Sequence, residues 1–74
     1  MDQYIKVVIL DSLFESQILG EVMKDRGIPH LIKSYYDSAY DGIFQGQKGW
    51  GAVFAPAEYS IEIKEIIEEL RNKG

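Results

Sequence analysis

The side chains best suited to recognition chemistry gather between residues 35 and 54. That stretch holds six of the nine aromatics (Tyr35, Tyr36, Tyr40, Phe44, Trp50, Phe54) and four of the seven glycines. Gln45, Gln47 and Lys48 place hydrogen-bond donors among them. Aromatic rings with polar tips offer large rigid contact area at low entropic cost, a combination suited to holding a partner or a small ligand. The candidate binding set is therefore Tyr35, Tyr36, Tyr40, Phe44, Gln45, Lys48 and Trp50. The plainer reading is that Trp50, Phe54 and one or two tyrosines belong to the core and the remainder connects two strands.

Other groups promise less. Gly46-Gln47-Lys48-Gly49-Trp50-Gly51 has a phosphate-loop flavour, but it lacks the Walker spacing and the Ser/Thr after Lys, and it precedes a strand. A turn that needs positive φ accounts for it better. His30 is the only histidine, which leaves Ser12, Ser16, Ser34, Ser38 and Ser60 one candidate base between them. A lone strand histidine is expected at the surface or hydrogen-bonded, and no metal site is expected around it. Asp37 and Asp41 pair carboxylates with aromatics, as sugar sites do. A chain of 74 residues has little room for a deep cleft, so the reading is a non-enzyme without a cofactor.

Those residues must be positioned by one small domain, residues 1–74. Eight basic against twelve acidic side chains give a net charge of -4, and apolar residues make up 46%, which is globular balance. Scattered cations on an acidic chain argue against nucleic acid. Without cysteine there is neither a disulfide framework nor a thiolate metal site. The longest aliphatic run, Val7-Val8-Ile9-Leu10, is far below the roughly 20 residues of a membrane helix, and Met1-Asp2-Gln3 is unlike a basic secretory start. A soluble cytoplasmic protein is expected.

Residues 4–10 read as a strand with apolar residues at both parities. Ser12-Leu13-Phe14-Glu15 has capping-box spacing. Phe14, Ile18 and Val22, with Leu19 and Met23, form an apolar stripe on a helix closed by Gly27 at its C′ position. Residues 28–36 predict a second strand with Pro29 near its start, and 50–55 a third in which Trp50, Ala52 and Phe54 share a face. From Ala57, the residues Tyr59, Ile63, Ile66, Ile67 and Leu70 mark a second helix, whose acidic outer side reads as a solvated face.

The expected fold is α+β, a ferredoxin-like βαββα with a three-stranded sheet ordered 1-3-2 and both helices on one face. This leaves the first strand, with Lys6 as its only charge, at an open edge. Small size and an apolar edge predict a homodimer or higher homo-oligomer through Tyr4, Lys6 and Val8.

The chain also resembles a small bacterial family of prokaryotic signal-transducing proteins whose function is unknown. The likeness runs through Glu15-Ser16-Gln17-Ile18-Leu19 to Met23, Gly27-Ile28-Pro29, the strand Ala52-Val53-Phe54, and Ile63, Ile66, Ile67 and Leu70. Ser16 stands where that family more often has alanine. The resemblance implies a fold similar to PII-type regulatory proteins and carries over no catalytic residue. The resulting expectation is a regulatory or interaction module that binds through residues 35–54. The alternatives are a structural accessory domain with a silent loop and a PII-like nucleotide or metabolite sensor.

Overall fold

β-Branched and aliphatic side chains over Tyr4–Leu10 form β1, the first strand of a three-stranded sheet. The computed structural model describes residues 3–35 and 49–73. After β1 come α1 (Leu13–Asp25), β2 (Leu31–Ser34), β3 (Gly51–Pro56), a 3-10 turn (Ala57–Tyr59) and α2 (Ser60–Lys73). The sheet order is β1-β3-β2, with β3 antiparallel to both neighbours, so the βαββα α+β fold expected from the sequence is the one observed.

The ends of α1 are set by local chemistry. Ser12 is the N-cap: its Oγ accepts from the Glu15 N–H at 3.1 Å. Glu15 reaches back one residue further than the usual capping box, accepting from the Asp11 N–H at 2.8 Å. At the other end Gly27 takes φ +70. The Ile28 N–H donates to the Met23 carbonyl at 2.9 Å and the Gly27 N–H to the Lys24 carbonyl at 3.1 Å, which together make a Schellman closure.

This closure explains why β2 is shorter than the predicted 28–36. The Ile28 N–H is consumed by the helix exit and Pro29 has none to offer, so regular pairing begins at Leu31↔Phe54. One further bond, from the Tyr35 N–H to the Trp50 carbonyl at 3.0 Å, prolongs it past Ser34↔Gly51.

Both helices cover one face of the sheet. Leu19 and Met23 of α1 and Ile63, Ile66 and Ile67 of α2 form a buried cluster with Val7, Leu10, Val53 and Ala55. The helices run antiparallel: Arg26 near the end of α1 pairs with Glu62 near the start of α2 at 3.3 Å, and Arg71 near the end of α2 meets Glu15 in the first turn of α1.

The α1 stripe is rotated from its expected position. Leu19 and Met23 are fully buried and Val22 packs beside them, whereas Ile18 is half-buried and Phe14 is 68% exposed. Ser16 takes a core-facing place instead, its hydroxyl donating to the Leu13 carbonyl at 2.7 Å. A small side chain that satisfies its own hydroxyl lets α1 approach the sheet closely.

Candidate functional site

Strand register decides which side chains the helices leave uncovered. Val53 and Ala55 of β3 point into the helix-side core, so Ala52 and Phe54 point the other way. Directly paired residues share a face. Lys6 of β1 and Leu31 of β2 therefore flank Phe54, Ile9 and Lys33 flank Ala52, and Tyr4 lies beside Pro56. Among the described residues no helix or strand packs on this second face; its centre is nonetheless closed, with Ala52 fully buried and Pro56 buried, and it is open along the outer strands.

On it Tyr4 is 46% exposed, Leu31 46% and Ile9 40%, with Phe54 half-buried between the lysine and leucine rows. Elsewhere among the described residues, Ile5 is 41% exposed at the β1 edge but on the helix side of the sheet, paired with Ala55. Leu13 and Phe14 sit at the start of α1 and Ile61 at the start of α2, at opposite ends of the antiparallel helix pair. The sheet brings Tyr4, Ile9 and Leu31 onto one face with Lys6 and Lys33. A face of this kind offers apolar side chains beside cationic ones along its two outer strands.

The β1 edge is less open than its composition suggests. The register shifts between Lys6 and Val8, leaving Val7 as a bulge whose side chain is buried. Such a bulge disrupts the ladder that an added strand would need. Beyond it, the Leu10 carbonyl points into the sheet, accepting from the Trp50 N–H at 2.7 Å, so the Ile9 carbonyl points outward. Arg71 Nη2 occupies that outward carbonyl at 2.9 Å.

The same guanidinium grips Glu15 with Nε to Oε2 at 2.8 Å and Nη2 to Oε1 at 3.1 Å, and stands 3.5 Å from Asp11 Oδ2. The Arg71 hydrogen bond is the main influence holding the Glu15 carboxyl below its ordinary range. The Asp11 N–H assists it and partial burial opposes it. The Arg71 guanidinium is correspondingly pushed up, first by its hydrogen bond to Glu15. This acid–base cluster is spent on joining the β1 end, the α1 cap and the α2 terminus.

The residues singled out in the sequence are distributed unevenly over this geometry. Tyr4 and Lys6 lie on the uncovered face at the β1 edge. Val8 does not: its side chain packs against the helix-side core, because the bulge carries it there. Tyr35 and Trp50 are half-buried and joined through their backbones, and Trp50 packs against the core. Tyr36, Tyr40, Phe44, Gln45 and Lys48 lie outside the described residues. Ile9, Leu31, Lys33 and Phe54 were missed as site residues. Their signal was parity: each alternates in its strand with a residue that the helices bury.

Two other places have limited chemical reach. His30 is half-buried and its Nδ1 lies 2.9 Å from the Ile28 carbonyl, so Nδ1 carries the proton and donates it. A groove of about 380 Å³ between the helices is lined by Arg26, Glu65, Ile66, Glu68, Glu69 and Asn72. It is polar and solvent-facing, and Arg26 is already engaged with Glu62. Among the described residues no group of three or more His, Cys, Asp or Glu side chains could hold a metal ion. No helix there is long and apolar enough to cross a membrane.

No protein-family model, curated protein or solved structure matches the chain.

Proposed function

We propose that this chain is a non-enzymatic interaction module that takes a partner on the face of its sheet opposite the helices. The observation that carries the reading is the convergence of Tyr4, Ile9, Leu31 and Phe54 on that face while the helices build the core on the other. Residues 35–54 contribute Phe54 directly. Binding suits this geometry better than catalysis, since the described cluster of acid and base, Asp11, Glu15 and Arg71, is consumed in capping. The cytoplasm is the compartment we assign, because a cysteine-free chain gains no cross-link from an oxidising one.

Regulation by self-association through the β1 edge belongs to the same proposal, confined by the bulge and by Arg71 to the stretch from Tyr4 to Lys6. One observation favours the accessory-domain alternative for a single residue: Trp50 is spent partly on the core. The test is selection of a displayed random peptide library on the purified protein. Leu31→Asp is expected to abolish capture of the enriched peptides and Phe14→Asp, on α1, to leave it intact. Equal capture by both variants would remove the sheet face from consideration.

A further inference from the structure

The charge of the three strands has one sign. Lys6 and Lys33 are the only charged residues in β1, β2 and β3, both are exposed, and register places both on the face opposite the helices. The carboxylates of the described elements lie on the helices, on the turn before α2 and at Asp11. A chain of net charge -4 thus presents a cationic, apolar face on one side and an acidic helical face on the other.

The lysines also have a defined spacing. They sit on the two outer strands, one pleat row apart, which puts their Cα atoms about 12 Å from each other for strands spaced about 4.8 Å and rows about 7 Å. Phe54 and Leu31 fill the ground beside one lysine, and Ile9 lies across Ala52 from the other. We propose that the face binds an acidic protein segment in extended form, with carboxylates four residues apart seated on Lys6 and Lys33 and an apolar side chain midway between them, on the same side of the segment, meeting Phe54. An extended chain advances about 3.3 Å per residue, so that interval spans the lysine pair.

A second copy fits the face less well. Face-to-face pairing would gather two lysines from each subunit and no strand carboxylate from either, leaving cations without partners in the contact. Single-stranded nucleic acid would find two cations on an acidic protein, too few to hold a phosphate backbone firmly.

This inference rests on the interaction reading above, and the experiment separates the two. Peptides of about twelve residues are selected from a random displayed library, long enough to cross three strands. The winners are synthesised with a fluorophore and titrated by anisotropy against the wild type, Lys6→Glu/Lys33→Glu, and Leu31→Asp. A fluorescein-labelled oligouridine is titrated in parallel. The lysines are exposed, so the double variant keeps its fold, which circular dichroism confirms.

The expected result is winners rich in paired acids around an apolar residue, bound at least about tenfold more weakly by the double lysine variant and several-fold more weakly in high salt. Neutral or basic winners that Leu31→Asp still abolishes would overturn the acidic partner and leave the binding face standing. Winners indifferent to every substitution on the face, or no winners together with no oligouridine binding, would overturn both. Oligouridine binding lost in the double variant without peptide enrichment would replace the acidic segment with nucleic acid, and self-association lost on Lys33→Glu alone, which lies off the β1 edge, would replace it with a second copy.

Discussion

Arg71→Ala removes three hydrogen bonds and an ion pair from the junction of β1, α1 and α2: two bonds to Glu15, one to the Ile9 carbonyl, and the contact with Asp11. Hydrogen bonds to charged groups contribute about 1.5–3 kcal/mol where shielded, and exposed pairs about 0.2–1 kcal/mol. The Glu15 side chain is only 18% exposed but Arg71 is 38% exposed, so screening discounts the upper range. A loss of about 1–2 kcal/mol is expected, or roughly 5–15 °C in thermal midpoint for a domain this small. Arg71→Lys keeps the charge but lacks the fork that engages both carboxylate oxygens, and is expected to recover less than half.

The pH dependence gives the sharper assay. The folded Glu15 pKa lies below its unfolded value. Its contribution is therefore fully present above the ordinary glutamate range, about pH 4.3, and is lost as pH falls through the lowered folded value. Urea denaturation of wild type and Arg71→Ala is compared at neutral pH and below the folded pKa. The gap between them should shrink by half or more in acid, leaving the bond to the Ile9 carbonyl as the residue of the effect. A loss under about 0.3 kcal/mol at neutral pH, or an equal loss at both pH values, would refute the clamp.

Glycine positions yield opposite signs. Gly51→Ala should be the most damaging, because an added Cβ would overlap the Lys33 carbonyl oxygen across the β2–β3 pair. Gly27→Ala should cost about 1–2 kcal/mol from its φ of +70 alone, since nothing lies near the new carbon. Gly20→Ala meets only Ile32 Cδ1 at 3.5 Å and should stabilise by about 0.5–1 kcal/mol, read by thermal melting. Leu19→Ala should cost about 2–5 kcal/mol by denaturant titration, and Phe14→Ala less than about 0.5 kcal/mol. In sedimentation velocity, Arg71→Ala should associate more than the wild type, because it releases the outward Ile9 carbonyl. Unchanged association at high protein concentration would count against pairing at this edge.

Which of these features could be read in the sequence follows from their range. The Ser12 cap and the Gly27 exit are written in three to six consecutive residues, and both were legible with their mechanism. The buried isoleucines of α2 followed from helical period. Phe14 was misplaced because period gives a stripe's spacing but not which edge of it meets the sheet, and Ser16 took the close-packed place. β2 began late because Ile28 was claimed by the helix exit, a competition that β-propensity does not register. The Val7 bulge moved Val8 into the core, and only the pairing partner reveals a bulge. Arg71 lies 56 residues from Glu15, so nothing local joins them. The uncovered face was half legible: Tyr4 and Lys6 stood out as edge residues, while Leu31, Lys33 and Phe54 needed the register to become their neighbours.

The most direct test of the sheet as a docking surface is an amide NMR titration of the protein with the tightest peptide from the selection. The expected perturbations fall on β1, β3 and β2 around Tyr4, Lys6, Ile9, Leu31, Lys33 and Phe54, with the outer faces of α1 and α2 unmoved. Perturbations confined to the helices, or to the groove lined by Glu65, Glu68 and Glu69, would contradict it.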